Sequence, residues 1–150
     1  PGEIRGTIEN GNNIGKIGKN TNLGVYGTVT NKNYLDISGM EEMEVATRSE
    51  IQEGKAQIIC QLDNNGRKTY EIEIEKIYLA NNTDNKSMLI KVTDKDLLEK
   101  TGGIIQGMSG APVIQNGKFV GAVTNVLVND PTQGYAIFGD MMIKQMRSVE

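Results

Sequence analysis

From Thr69 to Glu75 the chain alternates polar and apolar residues without a break, putting Tyr70, Ile72 and Ile74 on one face and charged groups on the other. That is the pattern of a half-buried antiparallel strand, and it predicts one over 68–78. An apolar-rich run at 56–62 precedes it, with Asp63-Asn64-Asn65-Gly66-Arg67 in between. The Asn-Gly step tolerates the positive φ angles of a tight turn, so the two runs form a hairpin. A second Asn-Gly, Asn116-Gly117, joins 112–115 to the run 118–123 in the same way. Further strands are expected at 4–9, 24–30, 43–47, 88–92 and 134–138, separated at short intervals by Gly- and Asn-rich turns. Such spacing predicts an all-β barrel or sandwich. Helical patterns occur only at 94–100, where Asp94 is placed to cap and Gly102 to end the turn, and at 139–149 near the C-terminus. The polar stretch 81–86 divides the chain into two halves, and there is no internal repeat.

Composition narrows the reading. The 150 residues suit one domain over 1–150 with a real core. A net charge of -3 lacks the basic excess that phosphate backbones demand, so no nucleic-acid partner is expected. Cys60 is the only cysteine; its apolar strand setting reads as a buried thiol rather than a nucleophile. No run approaches the roughly 18 apolar residues of a membrane span, and no charged-then-apolar signal pattern opens the sequence. The chain starts Pro1-Gly2-Glu3 rather than with methionine, which reads as a trimmed piece whose targeting segment, if any, lies upstream.

The chemistry concentrates in Gly107-Met108-Ser109-Gly110-Ala111-Pro112, the Gly-x-Ser-Gly-x-Pro arrangement of a serine nucleophile inside its own oxyanion hole. In the chymotrypsin-like pattern a glycine-permitted turn aims two backbone N–H groups, here those of Gly107 and Ser109, at the developing oxyanion. Gly110 leaves room for the acyl group, and Pro112 starts the next strand where no N–H is needed. A hairpin, an apolar strand over 121–128, a turn, the run 134–137 and a terminal helix follow in the order of that fold. The same hexapeptide is also the composition of an ordinary flexible turn. The chain contains no histidine, so the base that a serine hydroxyl ordinarily needs near neutral pH is missing from it.

The run Val-Thr-Asp-Lys-Asp-Leu-Leu-Glu-Lys-Thr-Gly-Gly-Ile-Ile-Gln-Gly-Met-Ser-Gly-Ala-Pro-Val-Ile-Gln-Asn-Gly-Lys over 92–118, continued by 121–124 and by Val128-Asn129-Asp130-Pro131-Thr132 and Gly134-Tyr135, resembles the stage IV sporulation protein B family of sporulation signalling serine peptidases. The match is dense from about Lys91 to Tyr135 and thins toward the N-terminus. The resemblance implies a trypsin-like double β-barrel, the first barrel incomplete at the N-terminus, with a short C-terminal helix. It implies Ser109 as nucleophile and Asp94 as the acidic member of the triad, although an Asp opening Asp94-Lys95-Asp96-Leu97-Leu98 is equally a helix N-cap. Family members carry their histidine in an upstream Gly-His segment, preceded by a PDZ domain and a membrane anchor. Two departures are Ala111, where the family has a second serine, and Asn125, where it has a histidine not assigned to catalysis. Met108 stands where trypsin-type zymogens place an Asp that pairs with a freshly cut amino terminus; methionine makes no such pair.

Substrate contacts follow from position in that fold. Thr124, Asn125 and Val126 would offer edge backbone to an extended peptide, and Gly103, Ile104, Ile105, Gly134, Tyr135 and Ala136 would wall an uncharged primary pocket. By resemblance the partner is a protein substrate: the protein itself, and then a membrane-associated regulatory protein, cut in the intermembrane space of a sporulating bacterium. No cofactor is expected. Other functions remain open: a non-catalytic module binding peptides or partners, or a Ser-Lys pair using Lys91, Lys95 or Lys118. The glycine- and lysine-containing segment 11–21 lacks the residues of a phosphate loop and reads as a connection. One cysteine without histidine leaves no zinc site, and Glu41-Glu42 and Glu71/Glu73/Glu75 read as solvated faces.

Overall fold

The computed structural model describes residues 11, 13–35 and 37–149. It opens with a two-stranded hairpin, β1 (Gly15–Thr21) and β2 (Gly24–Val29). A largely irregular segment holding two 3₁₀ turns, Lys32–Tyr34 and Arg48–Glu50, leads to the barrel. The barrel strands are β3 (Gly54–Cys60), β4 (Lys68–Ile77), β5 (Met88–Val92), β6 (Pro112–Gln115), β7 (Lys118–Leu127) and β8 (Asp130–Phe138). Helix α1 (Lys95–Thr101) separates β5 from β6, and α2 (Gly139–Arg147) follows β8. The six strands close in the order β3-β4-β5-β8-β7-β6, sealed by Gln57↔Ile114 and Ile58↔Val113 between β3 and β6. Among the described residues one barrel closes and the other sheet is the β1–β2 hairpin, in keeping with a two-barrel fold whose first barrel is incomplete.

The alternation that marked β4 is realised: Tyr70, Ile72 and Ile74 are buried, while Glu71 and Glu73 are exposed. Ile58, Ile90, Val113, Val123 and Phe138 join them inside. Each such side chain contributes about 1.5–3 kcal/mol on full burial. The second Asn-Gly forms a tight turn, with φ of 51° at Asn116 and 74° at Gly117, the double positive φ of a type I′ hairpin, whereas the first hairpin forms but closes through a longer loop, 61–67, between Cys60 and Lys68. Asp94 caps α1 and Gly102, at φ 72°, ends it. Arg48 ties the irregular segment to the barrel: its guanidinium lies 4.6 Å from the Phe138 ring centroid, donates to Asp140 at 2.7 Å, and reaches the carbonyls of Leu79 and Asn81. No helix among the described residues is long and apolar enough to cross a membrane.

Three expectations are revised. Segment 43–47 is not a strand; it lies along β7 through one parallel bridge, Val45↔Phe119, because Thr47 already starts the second 3₁₀ turn. Segment 11–21 is not a mere connection, since 15–21 forms β1. Its glycines permit close backbone approach: a Cβ on Gly15 would fall 2.3 Å from the Thr28 carbonyl oxygen. Cys60 ends β3 only half buried. The strand expected over 4–9 lies outside the described residues.

Candidate active site

Two successive tight turns build the serine loop. Met108 N donates to Ile105 O at 3.2 Å and Ala111 N to Met108 O at 2.9 Å, placing Gly107 and Gly110 each at the third position of its turn. Their φ values, 101° and 91°, are those of type II turns, which glycine adopts without the strain of a Cβ. The three-residue spacing of the two glycines is thus the local cause of the loop. Beyond it, Gly110 N donates to Val123 O and Val123 N to Ala111 O, sewing the loop to β7 just before β6 begins at Pro112. Ser109 itself is exposed, and its Oγ donates to the Thr124 carbonyl at 3.0 Å.

The amides of Gly107 and Ser109 donate to no protein acceptor among the described residues, whereas those of Met108, Gly110 and Ala111 all do. Unpaired N–H groups beside an exposed hydroxyl are what stabilisation of a developing oxyanion requires. Met108 between them is buried in the core cluster, so the loop is anchored by an apolar side chain. A cavity of about 570 Å³ fronts the hydroxyl, lined by Ser109, Gly110 and Thr124 on the barrel side and by Thr21, Leu23 and Tyr26 on the hairpin side. Tyr26 is buried there and its hydroxyl donates to Leu23 O at 2.8 Å; burial raises its pKa above the usual phenol value. A smaller cavity of about 330 Å³ lies on the Gly107 side, with Cys60, Leu62 and Ile105 at its edge. Burial likewise raises the Cys60 thiol, keeping it protonated.

The other candidates fall in different places. Asp94 Oδ1 accepts from Leu97 N at 3.0 Å and Oδ2 from Glu71 N at 3.1 Å. Burial pushes its carboxyl up, but the N–H groups of Leu97, Glu71 and Asp96 outweigh that and hold it below the ordinary value. Among the described residues no hydrogen bond joins Asp94 to Ser109. Thr124, which receives Ser109, donates to Asn85 O just before β5, while Asp94 follows the far end of that strand. Five extended residues separate the two ends by roughly 16 Å.

Strand β6 pairs with β7 only as far as Pro112↔Ala122, so Asn125 and Val126 pair with β8 alone, Thr124 is skipped by that ladder, and the edge of β7 away from β8 is open at 125–126. The expected primary pocket is packed shut on its inner side. Gly103 is buried against Pro131, and the buried Ile104 sits so near Gly134 that a Cβ there would meet its Cδ1 at 2.7 Å. Ile105 is half buried at the smaller cavity, and Tyr135 lies under the Lys86 ammonium, 5.3 Å from the ring centroid. Among the described residues no lysine bonds to Ser109. Lys118 is held by Glu50 and Glu44, which raise its pKa, the opposite of what a general base needs. The sequence reading missed Asn85 and the hairpin turn 21–24, because the role of each depends on a partner far along the chain.

The model of the SpoIVB peptidase S55 family matches residues 1–143. None of the curated proteins matches the chain. Among solved structures, the Rv3671c protease from M. tuberculosis in its active form is similar at 16% identity, TM-score 0.51, over 71% of this chain and 47% of that one. Two inactive forms of that protease, one of them a serine-to-alanine mutant, match at 14% identity with the same TM-score and 71% of this chain, covering 52% and 54% of theirs. The chain therefore spans about half the length of the solved structures it matches.

Proposed function

The chain belongs to the SpoIVB peptidase S55 family, and from that premise we propose that it is the nucleophile-bearing domain of a serine endopeptidase whose base comes from outside these 150 residues. The observation that carries the proposal is the exposed Ser109 hydroxyl on a loop whose Gly107 and Ser109 amides are unpaired, at the edge of a cleft. In the reaction, Ser109 Oγ attacks the scissile carbonyl carbon and its proton passes to the base. The two amides hold the oxyanion as the C–N bond breaks, and the base returns the proton to the leaving amine. Water then repeats the sequence on the acyl-serine. The open edge of β7 at 125–126 would hold the substrate as an added strand. Asp94 enters as the cap of α1 rather than as a group at the reacting atoms. The substrates proposed are the protein itself and a membrane-associated regulatory protein, outside the cytoplasmic membrane of a sporulating cell.

A triad lacking one member retains only about 10³–10⁴-fold acceleration over water, so this chain alone is expected to be nearly inert. Joined to the segment preceding it in its open reading frame, it is expected to be labelled at Ser109 by a fluorophosphonate, with S109A unlabelled. A well-folded longer protein that takes no label would remove the proposal. The open β7 edge also favours a second reading, a peptide-binding module without catalysis. Saturable binding of an extended peptide to that unlabelled protein would then replace the first reading.

A further inference from the structure

The ladder between β7 and β8 passes from Val123↔Ala136 directly to Asn125↔Tyr135, leaving Thr124 without a partner across the sheet. A bulge of this kind turns one residue out of the ladder and re-aims its groups. Released from β8, the Thr124 carbonyl accepts the Ser109 hydroxyl at 3.0 Å. The side chain of the same residue is fastened on the other side: Thr124 Oγ1 lies 2.8 Å from Asn85 O and 3.2 Å from Tyr135 O. A hydroxyl has one proton, and it goes to the nearer carbonyl, that of Asn85.

Asn85 is a firm anchor. It belongs to the β4–β5 loop, in which Asn81 Nδ2 donates to Asp84 Oδ1 at 2.7 Å and Lys86 N to the same oxygen at 2.8 Å. Arg48 holds this loop from outside at Asn81 O, 2.8 Å away. The chain of contacts thus runs from a cross-braced loop, through one hydroxyl, to the peptide that receives the candidate nucleophile.

We propose that Thr124 is a positioning residue whose hydroxyl, tied to the β4–β5 loop at Asn85, holds the β7 bulge so that its own carbonyl fixes the Ser109 hydroxyl at the mouth of the cleft. The proposal rests on Ser109 being the nucleophile for its kinetic consequence, but not for its geometry. Valine at 124 keeps the shape and removes the proton; serine keeps the proton and removes a methyl group.

Crystal structures of this chain carrying T124V and T124S test the geometry without any activity. Ser109 Oγ is expected to leave the residue-124 carbonyl in T124V and to remain bonded to it in T124S. If T124V does not fold, T124A, which places no methyl against the two carbonyls, takes its place. In the longer protein, saturable phosphonylation separates binding from reaction: the limiting rate should fall roughly tenfold in T124V at unchanged half-saturation, and T124S should restore it to within about twofold. Ser109 still on the carbonyl in T124V, a limiting rate equal to or above wild type, or T124S behaving like T124V would each overturn the proposal. Wild-type protein that takes no label would instead remove the protease reading, and the crystal structures would still decide the role of Thr124.

Discussion

Replacing Asp94 by asparagine and by alanine separates two roles that one carboxylate could combine. Its oxygens accept from Leu97 N and Glu71 N, so asparagine keeps one acceptor and alanine keeps neither. Loss of a cap bond costs about 1 kcal/mol, so D94N should lose about 1 and D94A about 2 kcal/mol, read from urea midpoints. Per folded molecule, labelling of Ser109 in the longer protein should stay within a few-fold of wild type in both. A triad acid would lose about 10⁴-fold on the same change to asparagine, and that result would return Asp94 to the reacting centre. Glycines at 107 and 110 were enough to predict the turns around Ser109, because a type II turn asks for glycine locally. Asp94 was harder to place. A cap and a catalytic acid use the same residue type, and what distinguishes them is the path of β5 in space.

At the level of elements, the β7–β8 pair is where backbone fit is tightest. A Cβ on Gly121 would fall 1.9 Å from the Ile137 carbonyl oxygen, a backbone atom that moves only with its strand. G121A should therefore lower stability by about 1–3 kcal/mol, seen as a shifted urea midpoint, with β7 displaced from β8. A midpoint unchanged from wild type would show that the ladder has slack there. Strand β4 was legible because one face is buried and the other wet, so its side chains carry a period of two. Strand β1 was not: its burial pattern is almost wholly exposed, Ile17 included, and a strand with no core face leaves no alternation to read. The hairpin is instead positioned by contacts distant in sequence, Lys19 Nζ with Ser148 Oγ and Gly18 against Val149.

For the whole molecule the distribution of titrating groups sets the pH response. Glu50 is drawn down to about 2, foremost by the Lys118 ammonium and then by the Thr47 N–H and hydroxyl. Asp63, Asp84, Asp94 and Asp130 are also lowered from the ordinary value. A carboxyl whose folded pKa is lowered contributes stability that is present above its unfolded pKa, near 4, and lost as pH falls through the folded value. With no histidine in the chain, no side chain has an ordinary pKa near 6.5. Urea midpoints should therefore be level between about pH 5.5 and 8 and fall below about pH 4; a slope between 6 and 7 would contradict this assignment of charges. Barrel closure and the hairpin-lined cleft were legible only as a fold class, since both depend on contacts between distant segments. The burial of Met108 has a consequence for timing. A thioether seated among apolar neighbours needs no newly exposed terminus to hold it, so folding alone sets the loop around Ser109. Under the proposed function, the moment at which that hydroxyl becomes reactive would then be governed by the arrival of a proton acceptor, not by maturation of this segment.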